Sequence, residues 1–122
     1  MKIGITSVEA WEKPLFAAAL KKHKLIFLEE PLTKKNAAKI KDAEIVSPFV
    51  SSKLDKNILD KLPKLKMIAT RTTGYDHIDI TECRKRKIAV SNVPAYGENT
   101  VAEHTFALLL ALAKKIVPSV EN

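Results

Sequence analysis

Short apolar runs alternate with amphipathic stretches along the chain. Runs rich in Ile, Val, Leu and Phe predict strands at Lys2–Thr6, Leu25–Leu28, Glu44–Ser47, Met67–Thr70 and Ile88–Ser91. Helical spacing of apolar residues, with lysine and glutamate on the other side, predicts helices at Val8–His23, Lys34–Lys41, Asp55–Lys61, Ile80–Lys87 and Val101–Val117. This alternation is typical of right-handed crossovers and a parallel sheet. We therefore expect an α/β fold of three layers, with helices on both faces of the sheet.

Capping signatures predict where several helices begin. In each signature a residue with a side-chain oxygen stands three positions before a glutamate, so the two can satisfy each other's free backbone amides. The pairs are Thr6 with Glu9, Asp79 with Glu82, and Thr100 with Glu103. The last two follow directly on glycine-containing turns, which places those turns at the strand ends where α/β sheets bind ligands.

The last predicted helix is apolar on nearly every side from Phe106 to Ala113. A helix on the surface of a globular protein normally shows one apolar stripe, so this helix needs cover on most sides. Either it is a central core helix of this domain, or another domain or subunit covers it. The sequence leaves both possibilities open.

Composition limits the partners that we expect. The 122 residues fit one domain, and the net charge is +7. The basic residues are mostly scattered lysines, and the dense cluster Arg84–Lys87 has no aromatic neighbours on which bases could stack. A solvated lysine-rich surface explains this charge better than nucleic-acid binding.

Other features exclude further classes of site. The Met1-Lys2-Ile3 start has no basic-then-apolar leader, and the apolar run Phe106–Ala113 is too short for a membrane span. The single cysteine, Cys83, excludes an internal disulfide and fits the cytoplasm. The histidines share no metal-ligand spacing, so we expect no metal site.

The glycines exclude a self-contained nucleotide site. A dinucleotide cradle needs several closely spaced glycines, so that a pyrophosphate can approach amides at the start of a helix. The three glycines here, Gly4, Gly74 and Gly97, are far apart. The chain therefore carries neither this fingerprint nor a phosphate loop.

Two turns carry the most informative chemistry. Arg71–Asp79 and Ser91–Asn99 each follow a predicted strand, contain a glycine and lead into a predicted helix. Gly74 lacks a Cβ, so the backbone there can adopt a positive φ and an anion can come close. Successive amides in such a turn can hold the anion. Side by side at one sheet edge, the two turns would form a cleft.

In these residues the chain resembles the NAD-dependent D-isomer-specific 2-hydroxyacid dehydrogenases, which include D-lactate and phosphoglycerate dehydrogenases. The resemblance covers about residues 45 to 116 and is strongest in Arg71–Asp79 and Asn92–Ala113. Asn92–Tyr96 and Val101–His104 look closest to D-lactate dehydrogenases. Residues 1 to 44 agree in the order of their elements only.

The resemblance implies a flavodoxin-like substrate-binding domain over residues 1–122. In the family a Rossmann domain follows and binds most of the NAD, and that domain is absent from this chain. The backbone matching Thr73 and Gly74 binds the substrate carboxylate. An aromatic residue matching Tyr96 lines the substrate pocket, and a position near Phe49 does likewise. The residues matching Thr100 and Val101 face the nicotinamide.

The implied function is hydride transfer between NAD and a small D-2-hydroxy acid, with a 2-oxo acid as the other substrate form. The family's catalytic arginine, glutamate and histidine have no counterpart here, so Arg71, Glu103 and His104 are not assigned those roles. We therefore expect no catalytic residue in this chain and no activity from it alone. The partners implied are the nucleotide-binding domain and further copies in a homo-oligomer.

Two alternatives belong to other functional classes. A receiver-like signalling module shares the flavodoxin-like order but needs carboxylates at its strand ends, where this chain has Thr6-Ser7 and Ser47-Pro48-Phe49. A regulatory or corepressor relative that kept the fold and changed its function stays open.

We expect the 122-residue chain to show neither dehydrogenase activity nor measurable NAD binding, because it lacks the glycine-rich cradle. Calorimetric titration with NAD checks this prediction, with the complete enzyme as the positive control. Micromolar affinity of the chain alone would contradict it.

Overall fold

The strands form one parallel sheet in the computed structural model, which describes residues 1–120. They are β1 (Lys2–Thr6), β2 (Lys24–Leu28), β3 (Ile45–Ser47), β4 (Met67–Ala69) and β5 (Ala89–Ser91). Their order across the sheet is β2-β1-β3-β4-β5, which is the flavodoxin-like order. The predicted fold class is therefore confirmed. The last two positions of the predicted domain, Glu121 and Asn122, lie outside the described residues.

The helices are shorter than the sequence pattern predicts. They are α1 (Lys13–Ala19), α2 (Lys56–Leu59), α3 (Ile80–Lys85), α4 (Glu98–Ala113) and α5 (Ile116–Val120). Between β2 and β3 the predicted helix is only a 3₁₀ turn, Ala37–Ile40. The side chain of Asn36 explains this turn, because it accepts from Thr33 N at 2.7 Å and donates to Pro31 O at 2.8 Å. Such local bonds favour tight turns over long helices.

The predicted start of the first helix at Val8, capped by Thr6, is wrong. Val8 N instead donates to Leu28 O at 3.3 Å, so the chain stays attached to β2 beyond the end of β1. The Thr6 hydroxyl bonds to Ser52 Oγ at 3.0 Å rather than to a helix amide. Helix α1 begins only near Pro14, whose missing N–H is no loss in a first turn.

The two remaining caps differ in outcome. Asp79 caps α3 as predicted, since its Oδ1 accepts from Glu82 N at 2.9 Å. The predicted cap at Thr100 is wrong, because α4 begins at Glu98 with Gly97 at the N-cap. Thr100 therefore lies within the first turn of α4. The helix also ends at Ala113 rather than Val117, since Lys115 adopts a left-handed φ of 52° before α5.

Apolar side chains cover the sheet on both faces. On one face Ile3 and Ile5 pack with Phe16 of α1. On the other face Val46 packs in a larger cluster with residues of the 3₁₀ turn, α2 and α3. Gly4 permits this packing, because a Cβ there would lie 3.2 Å from the Ile40 side chain.

The α1 face is covered only over part of the sheet. Parallel pairing places Ile45, Met67 and Ala89 side by side on this face. Met67 is half-buried and Ala89 is exposed. The part of the face formed by β4 and β5 therefore has little cover within residues 1–120.

Helix α4 is not a core helix of the described domain. None of its residues is buried, and the exposed fractions of Phe106 and Leu112 are 64% and 79%. Of the two possibilities that the sequence left open, a core position is therefore excluded for residues 1–120, and cover has to come from elsewhere. Although α4 is apolar, no helix in this part of the chain is long and apolar enough to cross a membrane.

We expect the 122-residue chain to self-associate through α4, because exposed apolar helices associate in water. Leu112→Gln should raise the apparent dissociation constant about tenfold, since burial of a leucine contributes roughly 1.5–3 kcal/mol. Sedimentation velocity over a wide concentration range measures this change. The matched control is Leu15→Gln on α1, a leucine that is 61% exposed.

A stable monomer at every concentration, with α4 protected from amide exchange, would contradict self-association. An equal effect of Leu15→Gln would show that α4 is not the contact surface.

Candidate functional site

The carboxyl ends of β3, β4 and β5 meet at one edge of the sheet. Backbone bonds hold the segments together just beyond the strands. Thr70 N donates to Ser91 O at 2.9 Å, and Arg71 N donates to Pro48 O at 3.1 Å. Both glycine-containing turns therefore lie at this edge, as the sequence predicts.

An open cavity of about 710 Å³ lies between these turns and the start of α4. It is lined by residues of three segments: Phe49, Val50, Thr72, Thr73, Gly74, Tyr96, Gly97, Glu98, Thr100 and Val101. The structure thus brings together all six residues that the sequence analysis selected, namely Phe49, Thr73, Gly74, Tyr96, Thr100 and Val101. Of the other four, Val50, Thr72 and Gly97 directly adjoin selected residues in the sequence, and Glu98 lies two positions from both Tyr96 and Thr100. This proximity is the signal that could have identified them.

The carbonyl groups of the first turn are fixed by hydrogen bonds. Val93 N donates to Thr72 O at 3.0 Å, and Asn92 Nδ2 donates to Thr73 O at 2.8 Å. The Thr72 hydroxyl donates to Gly74 O at 2.7 Å. In a trans peptide the N–H points away from the preceding carbonyl, so the Thr73 and Gly74 amides point away from these partners. Neither amide has a hydrogen-bond acceptor within residues 1–120.

The role of Gly74 in this turn differs from the expectation. Its φ is not positive, so a left-handed conformation does not explain the glycine. Space explains it better, because a Cβ at this position would lie 3.3 Å from Asp76 Oδ1. The argument from backbone conformation is therefore wrong, and the close approach of a carboxylate stays a prediction.

Arg71 fastens the first turn to the segment that follows β1 at the same edge of the sheet. Its Nη1 lies 3.0 Å from Glu12 Oε1, just before α1. Its Nη2 donates to Thr6 O and, at 3.1 Å, to Ser7 O. Ser7 has a left-handed φ of 51°, a conformation that costs energy for a residue with a side chain. The guanidinium therefore stabilises a strained chain segment after β1.

The same guanidinium lies between two aromatic rings. Its Cζ is 5.6 Å from the ring centroid of Phe16 and 5.7 Å from that of Phe49, a cavity residue. Sequence reasoning assigned Arg71 no role. The available signal is that Arg71 is the single arginine outside the cluster Arg84–Lys87 in a lysine-rich chain.

Tyr96 and Glu98 line the cavity, whereas Cys83, Glu103 and His104 do not. Cys83 is buried, and this burial raises the pKa of its thiol, with Asp79 adding to the effect. Cys83 is therefore a side chain of the hydrophobic core. Glu103 and His104 are exposed further along α4. Within residues 1–120, no three His, Cys, Asp or Glu side chains converge as metal ligands.

Comparison with known sequences gives consistent matches. The family model of the D-isomer specific 2-hydroxyacid dehydrogenase catalytic domain matches residues 5–120. A 2-hydroxyacid dehydrogenase homolog of Zymomonas mobilis is 42% identical over 96 residues, which are 77% of this chain and 29% of the relative. A glyoxylate reductase of Thermococcus litoralis is 44% identical over 79 residues, which are 65% of this chain and 24% of the relative.

Solved structures agree over almost the whole chain. D-lactate dehydrogenase of Aquifex aeolicus, complexed with NAD and lactic acid, matches 98% of this chain with a TM-score of 0.88 and 40% identity. The apo D-lactate dehydrogenase of Escherichia coli matches 99% with a TM-score of 0.77 and 26% identity. This chain covers 37% and 40% of those two chains, so it spans well under half the length of its relatives. The likeness also includes residues 1–44, where the sequence indicated only a common order of elements.

We expect Arg71→Met to lower the free energy of unfolding by about 2–3 kcal/mol, because it leaves Thr6 O, Ser7 O and Glu12 without their charged partner. Urea denaturation at one low protein concentration measures the change. The control is Arg84→Met, an exposed arginine on α3. Equal effects of the two substitutions would contradict the bracing role of Arg71.

Proposed function

Because this chain belongs to the D-isomer specific 2-hydroxyacid dehydrogenase family, we propose that it is the substrate-binding part of an oxidoreductase. In the complete enzyme a hydride passes between NAD and C2 of a small D-2-hydroxy acid. The proposal is carried by the geometry of one turn. The amides of Thr73 and Gly74 have no hydrogen-bond acceptor within residues 1–120, whereas the carbonyls of Thr72, Thr73 and Gly74 all accept hydrogen bonds.

This turn suits a carboxylate. Two adjacent amides form a small positive concavity, and bonds from amides to an anion are shorter and stronger than bonds to neutral acceptors. The fixed carbonyls of Thr72, Thr73 and Gly74 hold the amides in place before substrate binds. Binding therefore requires little reordering of the backbone.

Two aromatic residues enclose the space beside the turn. The exposed fractions of Phe49 and Tyr96 are 42% and 72%, so both present large surfaces to the cavity that they line. We assign them to the wall around the substrate carbon chain. Arg71 supports this wall through its contact with the Phe49 ring.

The first turn of α4 suits the nicotinamide end of the cofactor. Val101 is 68% exposed and lines the cavity, so a flat ring can pack on its apolar side chain, with Thr100 beside it. Bound NAD supplies the hydride acceptor or donor. The spacing of Gly4, Gly74 and Gly97 provides no cradle for the pyrophosphate. We therefore assign the rest of NAD, and the catalytic arginine, glutamate and histidine, to a nucleotide-binding domain of the complete enzyme.

The relatives act on different acids, since their names include glyoxylate reductase and D-lactate dehydrogenase. Glyoxylate and pyruvate share a carboxylate next to a carbonyl, which is the feature that the turn would recognise. We therefore propose a small 2-oxo acid as the substrate class. The side chains of Phe49 and Tyr96 would select among its members by size.

We expect Gly74→Val in the complete enzyme to raise KM for a 2-oxo acid about 10- to 100-fold, because charge-assisted bonds contribute roughly 1.5–3 kcal/mol each. The branched side chain would occupy the approach path and press on Asp76 Oδ1. Steady-state kinetics and the melting temperature are measured together. Tyr96→Phe, measured alongside, should change KM less because it keeps the apolar wall.

The control for lost stability alone is Gly4→Ala, in which the new Cβ presses on Ile40 far from the cavity. This variant should melt earlier and keep its KM. If Gly74→Val also melts earlier yet keeps a wild-type KM, the turn does not bind the carboxylate.

A further inference from the structure

A line of buried hydroxyl groups ends on the turn described above. Thr70 Oγ1 lies 2.6 Å from Thr72 Oγ1 and 3.1 Å from His77 Nε2. Thr72 Oγ1 lies 2.7 Å from Gly74 O. Thr70 and Thr72 are only 3% and 8% exposed, so water competes little for these bonds. The groups form one continuous hydrogen-bond chain from His77 to the carbonyl of Gly74.

Counting protons fixes the direction of every bond in this chain. A carbonyl oxygen can only accept, so the single hydroxyl proton of Thr72 is donated to Gly74 O. Thr72 must then accept from Thr70, which uses the single hydroxyl proton of Thr70. Thr70 must in turn accept from His77, so Nε2 carries a proton.

The other ring nitrogen of His77 agrees with this assignment. Nδ1 is buried and has no hydrogen-bond partner within residues 1–120. A proton on Nδ1 would be a buried donor without an acceptor, which costs more than a bare nitrogen in the same place. The neutral ring with its proton on Nε2 is therefore the form that fits this site.

We infer that His77, Thr70 and Thr72 are positioning residues for substrate binding, acting as a one-way hydrogen-bond chain that holds the Gly74 carbonyl and so orients the adjacent amides. The inference rests on the proposed carboxylate role of Thr73 and Gly74. Asn92 and Val93, just after β5, fix the two preceding carbonyls, whereas the His77 chain fixes the third from residues 70–77. None of the three residues of the chain needs to touch substrate for this role.

The test uses the complete enzyme and a set of isosteric substitutions. Thr72→Val, which removes the hydroxyl and keeps the shape, should raise KM for a 2-oxo acid about tenfold with kcat changed less than twofold. Thr72→Ser should restore KM to within about twofold, because it returns the donor. His77→Phe should raise KM as Thr72→Val does, and should add nothing further in the Thr72→Val background, because the groups act in series.

Thr6→Val is the matched control. Thr6 is fully buried at the end of β1, and its hydroxyl bonds to Ser52 Oγ at 3.0 Å, away from the turn. This variant should lose stability and keep KM. A merely structural role of Thr72 would make Thr72→Val behave in the same way and would overturn the inference.

A spectroscopic measurement is independent of catalysis. In enzyme labelled with ¹⁵N-histidine, the His77 signals are identified by their loss in His77→Phe. The nitrogen shifts should show a proton on Nε2 and none on Nδ1. A proton on Nδ1 alone would reverse the chain and overturn the inference.

The kinetic set also separates this inference from the proposed function. If Gly74→Val leaves KM unchanged, the carboxylate role itself is wrong. If Gly74→Val raises KM while Thr72→Val and His77→Phe leave it unchanged, the carboxylate role stands and the positioning chain is wrong.

Discussion

Parallel pairing of β4 between β3 and β5 is the constraint on which the rest of the site depends. The ladders pair Met67 with Ile45 on one side and with Ala89 on the other, and they bring three carboxyl ends to one edge. A slip of one residue in β4 would move buried Ile68 to the other face of the sheet. It would also shift the turn after β4 by one residue relative to the neighbouring strands. Burial of Ile68 therefore sets the position of the turn as well as the stability of the sheet.

The turn combines fixed acceptors with free donors. An unpaired amide is costly when it is buried, yet Thr73 and Gly74 are both exposed, so water can solvate their amides. The carbonyls beside them receive bonds from Asn92 and Val93, just after β5, and from the buried hydroxyl chain. This division keeps the geometry of the amides stable without occupying them, which is what an anion site requires.

The two walls of the cavity have unequal support. Phe49 stacks on Arg71, and the turn after β4 is bonded to its neighbours, so this wall belongs to the folded core. The other wall includes Tyr96 and Val101 at the start of α4, a helix with no buried residue. The apolar side chains of α4 are not buried by any part of residues 1–120. The solved relatives are more than twice as long as this chain, and the proposed second domain would cover this exposed helix.

The sequence by itself determined the periodic and local features. Strands such as Lys2–Thr6 were predictable because their apolar runs are short and bounded, and the Asp79 cap because it depends only on a contact three residues away. The resemblance to the dehydrogenase family, carried largely by the residues of the two turns, selected cavity residues such as Thr73 and Tyr96. Their assembly around one cavity follows from parallel pairing.

Only the tertiary structure decided the features that depend on distant partners. Thr6 carries a cap-like side chain but bonds to Ser52, and Val8 bonds to β2, because contacts 46 and 20 residues away along the chain outcompete a local helix start. Arg71 likewise bonds to Thr6, Ser7 and Glu12, which lie about 60 residues away along the chain. A local sequence pattern cannot indicate contacts between residues so far apart. The direction of the hydrogen bonds from His77 to Gly74 could be assigned only from the distances between the individual atoms. Sequence periodicity indicates the local secondary structure that a residue favours. The hydrogen-bond partners that the sheet brings together decide whether that local structure forms.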